Sequence, residues 1–193
     1  MLFRSHVTLP NNASNVPAPI AAIHIPGDPK AYLAVPAQDT LYVIDWQGNV
    51  KWSAPIGDTS GASGASSFDF DGHGVIDVVY ADEKNINIYN GRDGSVKFTA
   101  ARPSLTGFDV PVIADVDDDG HAEVVVVTDG NVNGSPGVIA YAGVNQNWVG
   151  TRHVWNQHSY HVTNVNENGT IPVHEARAWS VYNAYRSNLP ACQ

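Results

Sequence analysis

Two short stretches of this chain place carboxylates where they could hold a metal ion. The first is Asp69-Phe-Asp-Gly-His-Gly-Val-Ile-Asp77, and the second is Asp115-Val-Asp-Asp-Asp-Gly-His-Ala-Glu123. The second has acids at positions one, three, five and nine; the first keeps those at one, three and nine. Both have glycine at position six, Gly74 and Gly120, which tolerates the positive φ of a sharp turn. Carboxylates at alternate positions converge on one small volume only if the chain curls around something. Several hard oxygen ligands aimed at one point suit Ca2+, which takes about 6–8 oxygens in flexible geometry. Without a cation, such packed carboxylates repel one another and raise each other's pKa.

The residues after each stretch decide the kind of loop. A helix–loop–helix calcium site needs a glutamate at position twelve and a helix after it. Position twelve is Tyr80 in one case and Val126 in the other, within Val78-Val-Tyr80 and Val124–Val127. These β-branched and aromatic runs predict buried strands. The stretches are therefore loops between strands. Solvated Asp-Gly turns are the plain alternative, and two copies with the same flanks and the same acid at position nine favour metal over it.

The elements that must carry these loops repeat along the chain. Strands are expected at 20–25, 31–35, 41–44 and 50–52, then at 67–68, 78–80, 86–89 and 96–98. A third set is expected at 112–114, 124–127, 138–141 and around Trp148. From His24, at the first position of a degenerate loop with Pro26, Asp28 and Tyr32, to Asp69 is 45 residues, and from Asp69 to Asp115 is 46. Gly48-Asn-Val-Lys-Trp52 and Gly94-Ser-Val-Lys-Phe98 also lie 46 apart. A fourth echo, Asn164-Val-Asn-Glu-Asn-Gly169, replaces acids by asparagines. Repeats of about 40–50 residues with four strands each predict an all-β chain of β-propeller blades. The expected organisation is an arm over 1–19, blades over about 20–65, 66–110 and 111–150, and a degenerate fourth repeat with an irregular or short helical tail over 151–193.

Phe68-Asp-Phe-Asp-Gly-His-Gly-Val-Ile-Asp-Val-Val79 and Ile113-Ala-Asp-Val-Asp-Asp-Asp-Gly-His-Ala-Glu-Val-Val-Val126 resemble FG-GAP/VCBS repeats, the integrin-α-like propeller repeats also found in secreted and surface proteins of bacteria. The resemblance covers roughly residues 20–150. It implies Ca2+ ligation by side chains at positions one, three, five and nine and by the carbonyl at seven. Carried over, these are Asp69, Asp71, His73, Val75 and Asp77, then Asp115, Asp117, Asp119, His121 and Glu123. It thus implies one or two calcium ions, the 115–123 site being the stronger because His73 replaces an acid. The first repeat has lost its acids and is expected to bind none. Propellers of this family close with about seven blades, so the missing ones come from a longer chain or from other copies. Trp155–Pro172 resembles a segment that follows such repeats in large bacterial surface proteins.

Composition limits the remaining possibilities. At 193 residues the chain can bury one sizeable core or several small units. Nineteen acidic against ten basic residues, a formal charge of −9, argue against nucleic acid or an anionic membrane as main partner. No apolar run reaches the roughly 18 residues of a membrane span. Cys192 alone can make no internal disulfide, though it could join two chains. Met1–His6 is too short and polar for a secretory signal, so an exported protein would have lost its signal or carry it elsewhere.

Chemistry other than metal binding has one candidate. His153, His158 and His161 cluster with Trp155 and Tyr160; His158, Tyr160 and His161 could serve as base and acid in a polysaccharide lyase. Packing roles are the plainer reading, because no other catalytic part is visible. Trp52 and Trp148 are expected to pack between blades. Residues 174–188 could form a helix with Trp179, Tyr182 and Arg186 on one face, or an extended tail on a neighbouring blade. Together these readings predict a calcium-stabilised extracellular or cell-surface module for binding, adhesion or scaffolding. Its expected partners are itself or further blades, with carbohydrate or a surface protein as ligand.

Overall fold

The computed structural model describes residues 8–10, 18–104, 108–129, 134, 136–178, 182 and 184–191. Most of the arm expected over 1–19, together with Cys192 and Trp179, lies outside them. The first sheet is an antiparallel meander of β1 (Ala21–Ile23), β2 (Tyr32–Ala37), β3 (Thr40–Asp45) and β4 (Val50–Pro55). The second repeats it with β5 (Ala65–Phe68), β6 (Asp77–Ala81), β7 (Asn85–Tyr89) and β8 (Val96–Ala101). The third has β9 (Val112–Ala114), β10 (Glu123–Val127) and β11 (Val138–Ala142). Among the described residues no helix is long and apolar enough to cross a membrane.

The sheets stack face to face, and strand composition explains the order. Successive strand residues point to opposite faces. All five residues of β6 are buried, because the second sheet lies between the other two. Val78 and Tyr80 join Leu41, Val43 and Trp52 of the first sheet in one apolar cluster. Val79 and Ala81, with Ile86 and Ile88, join Val124 and Val126 of the third sheet in another. Burying each such Val or Ile contributes roughly 1.5–3 kcal/mol. Cross-strand register pairs Val79 with Ile88 and Ala81 with Ile86 on the covered face. The equivalent pairs of the third sheet are Val125 with Ala140 and Val127 with Val138. There Val127 is 47% exposed and Val138 59%. At the other end of the stack, Leu9 packs with Leu33 and Val35 against Tyr42 and Ile44.

The first strands of the three sheets meet along an inner edge made of small residues. Ser67 Oγ donates to the Ala22 carbonyl and Ser66 Oγ to that of Pro111. Residues 184–191 run across this edge as an irregular tail, bent at Arg186, which has a φ of +52°. The Tyr185 carbonyl accepts from Ala22 N–H at 3.0 Å, that of Arg186 from Ser67 N–H at 2.9 Å, and Asn188 Nδ2 donates to the Ile113 carbonyl at 3.1 Å. The buried Arg186 guanidinium also donates to the Ala65 carbonyl. Of the helix weighed for 174–188, residues 174–177 are not helical, Ala178 is helical with its carbonyl accepting from Tyr182 N–H, and 184–191 are not helical; residues 179–181 and 183 lie outside the described residues.

Two expectations need correction. Trp148 lies in no strand, so the third sheet has three strands among the described residues rather than four. After β11 a 3-10 turn, Val144–Gln146, takes Asn145 and Gln146 to positive φ and turns the chain back. Trp148 then packs on Phe70 (ring centroids 4.8 Å apart) and Phe98 (5.7 Å), so packing between sheets overrides strand pairing. Residues 151–178 likewise form turns and an isolated bridge at Thr151, without a fourth sheet. The asparagines of the fourth echo close a local turn, in which Asn166 and Thr170 bond each other.

Candidate metal centre

Both acidic loops join the first strand of a sheet to its second, and both are wound the same way. Asp69 Oδ1 accepts from His73 N–H at 3.2 Å and Oδ2 from Gly74 N–H at 2.6 Å. Asp115 repeats this with the N–H groups of Asp119 (3.2 Å) and Gly120 (3.0 Å). Gly74 and Gly120 have φ of +79° and +87°, the left-handed turn that a β-carbon disfavours. The position-one carboxylate thus nucleates the turn, and the position-nine acid begins the next strand as the first residue of β6 or β10.

In the second loop Asp115, Asp117 and Glu123 bring one carboxylate oxygen each within 4.8 Å of one another. Glu123 is 3% exposed. Its Oε2 accepts from Val116 N–H at 2.9 Å, while its Oε1 is buried with no partner. Burial raises the Glu123 pKa, opposed by the Val116 bond and reinforced by Asp117, Asp119 and Asp115. Among the described residues no lysine or arginine pairs with any acid of this loop. An unpaired carboxylate oxygen in so dry a place costs several kcal/mol unless something cationic meets it. The donor set is all oxygen, which fits a hard divalent ion such as Ca2+. Asp119 is turned away to accept from Gln146 Nε2 at 3.2 Å. His121 has its Nδ1 2.7 Å from the Trp148 carbonyl.

The first loop is occupied differently. Lys97, from β8, lies 2.7 Å from Asp77 Oδ2 and pairs still more closely with Asp71. Asp77, 1% exposed, uses its other oxygen to accept from Gly91 N–H at 3.3 Å. Burial pushes the Asp77 carboxyl up to about 6 against the pull of Lys97. Burial also acts to lower the Lys97 pKa, but its bonds to Asp71 and Asp77 outweigh this and raise it. His73 is exposed, and Val75 half-buried.

Sequence reasoning missed two things here. Lys97 was visible only as part of the repeated Gly-x-Val-Lys stretch. Asp118, at positive φ, forms a second group with Asp115 and His153, lining an open pocket of about 480 Å3 with Val116. The side chains of the rival histidine–tyrosine cluster have separate partners. Tyr160 is fully buried and stacked on Trp155; its hydroxyl donates to Asn188 Oδ1 and accepts from Arg152. Burial pushes its pKa up to about 12. His161 pairs with Glu175, while His158 lines a separate pocket with Trp155 and Arg186.

Fold and site together define an all-β repeat protein with acidic turns between the first and second strands of its sheets. Residues 69–126 match the model of the FG-GAP-like repeat. Among solved structures, it is similar to the V. cholerae biofilm matrix protein Bap1, with 28% identity and a TM-score of 0.71. That match covers 84% of this chain and 28% of Bap1, so the chain spans little over a quarter of its relative. A more distant likeness is to BBS1N in its complex with ARL6DN, at 16% identity and a TM-score of 0.44, covering 61% of this chain and 39% of that one. No curated protein matches the chain.

Proposed function

We propose that this chain is a calcium-stabilised run of β-propeller blades that acts outside the cell as an adhesion or scaffolding module. The observation that carries the reading is the group Asp115, Asp117 and Glu123, with one buried Glu123 oxygen left without a partner. A bound Ca2+ supplies charge neutralisation only; the carboxylates and the His121 carbonyl hold it, and Gly120 lets the turn close. The ion then couples folding of the third sheet to calcium supply. The extracellular role is supported by the likeness to a biofilm matrix protein over most of this chain. Blade-like stacking is supported by the two buried interfaces between sheets, and further blades or copies by the exposed Val127 and Val138. Carbohydrate or another surface protein is the ligand class that such a module would take.

Ligand binding to the folded state stabilises it by RT ln(1 + [L]/Kd), about 2.7 kcal/mol at a hundredfold excess over Kd. The melting temperature should therefore fall by several degrees when calcium is exchanged for EDTA. An identical melt in both would remove calcium from the account. Mass in solution, with and without calcium, then separates a monomer from a closed or extended assembly.

A further inference from the structure

We propose that Lys97 is a built-in substitute for the metal ion, so that loop 69–77 is a cation site filled from within the chain. This deepens the calcium reading and rests on it for the contrast with loop 115–123. Lys97 sits between the carboxylates of positions three and nine, Asp71 and Asp77. The corresponding residues of the next loop, Asp117 and Glu123, belong to the group whose oxygens converge there. An ammonium between them occupies the place that an ion would take. It also leaves no orphan: both Asp77 oxygens are satisfied, by Lys97 and by Gly91 N–H, whereas Glu123 Oε1 has nothing.

The same device stands one repeat earlier. Lys51 lies 46 residues before Lys97, on β4, the fourth strand of its sheet. Its Nζ is 3.8 Å from Asp28 and 4.9 Å from the centre of the Tyr32 ring, the residues at positions five and nine of the degenerate loop. A fourth-strand lysine thus faces the loop of its own sheet twice. The third sheet has no fourth strand among the described residues, and so no such lysine. Its loop carries five acids against three in loop 69–77. The source of the cation depends on whether the fourth strand is present. For calcium to enter loop 69–77 it would have to expel a partly buried ammonium from two carboxylates, and the two cations repel at short range.

Calorimetric titration of the chelator-stripped full chain counts the ions. The expected result is one Ca2+ per chain in the wild type and two in Lys97→Met, returning to one in Lys97→Met/Asp77→Asn. Two ions in the wild type, or one in Lys97→Met, would overturn the role of Lys97 and leave calcium at 115–123 standing. None in the wild type but one in Lys97→Met would do the reverse. None in either would overturn both. If Lys97→Met does not fold, acetylation of the wild type read by mass spectrometry still decides. Lys97 should react several-fold more slowly than the exposed Lys84, with or without saturating calcium. A Lys97 that becomes reactive as calcium is added has been displaced, and the proposal fails.

Discussion

The second and third sheets are copies of one design that meet their requirements differently. Their acidic loops share the position-one carboxylate clamp and the position-six glycine. In the second sheet the loop is closed by a lysine from the fourth strand, and the far face is covered by its neighbour. In the third, the acids stand without a lysine and the equivalent face is open to solvent. The comparison teaches that the last strand of a repeat does electrostatic as well as packing work. Where it is missing among the described residues, the acids of the loop have no lysine partner and one Glu123 oxygen is left without a hydrogen bond.

The largest effect expected is in packing. Ile86 is 1% exposed, and Ile86→Ala should cost about 2–5 kcal/mol in denaturant unfolding. Its counterpart Val138 is exposed, and Val138→Ala should stay within about 0.5 kcal/mol. An equal loss at Val138 would show that something covers this face in solution. Next come the position-nine acids. Asp77→Asn weakens the partner of Lys97 and should cost about 1–3 kcal/mol in calcium and in EDTA alike. Glu123→Gln should instead abolish the difference between calcium and EDTA, and melt no lower than wild type in EDTA, because it relieves an unpaired buried charge. A calcium-dependent loss at Asp77 would erase the contrast between the loops.

Gly94→Ala should have a similar or smaller effect, of order 1–3 kcal/mol at a φ of +75°. A β-carbon there would meet the Trp52 ring at 2.6 Å, at the seam between the first and second sheets. The smallest effect is set by pH. Asp45, bonded to the Asn49 side chain and to the N–H groups of Asn49 and Gln47, is held down at about 2, against the opposing effect of burial. A lowered carboxylate pKa adds stability that is present above its unfolded value, about 3.9, and lost as pH falls toward 2. Asp45→Asn should therefore flatten the acid limb of a stability–pH curve between those values and lower the plateau above it.

Much of this was legible in the chain, because β-branched runs and glycine-marked turns recur at a nearly fixed interval. Eleven of the twelve strands expected are present, and both acidic turns have glycine at positive φ where foreseen. What was hidden depends on contacts between elements far apart in sequence. Lys97 meets Asp77 only because β8 pairs with β7 and β7 with β6. Trp148 reads as a strand residue by periodicity, yet the rings of Phe70 and Phe98 place it otherwise. The tail across the inner edge is held by backbone bridges and by the Arg186 and Asn188 side chains bonding carbonyls far away in sequence, which no local pattern marks. Asp118 sits at an even position of the loop, outside the alternation that marks the others, and its grouping with His153 depends on how the chain returns after Gly150.

The most direct test is anomalous scattering from crystals grown in calcium. One strong peak among Asp115, Asp117 and Glu123, with Lys97 still seated between Asp71 and Asp77, is the predicted result. Peaks of equal strength in both loops, or none in either, would contradict the account.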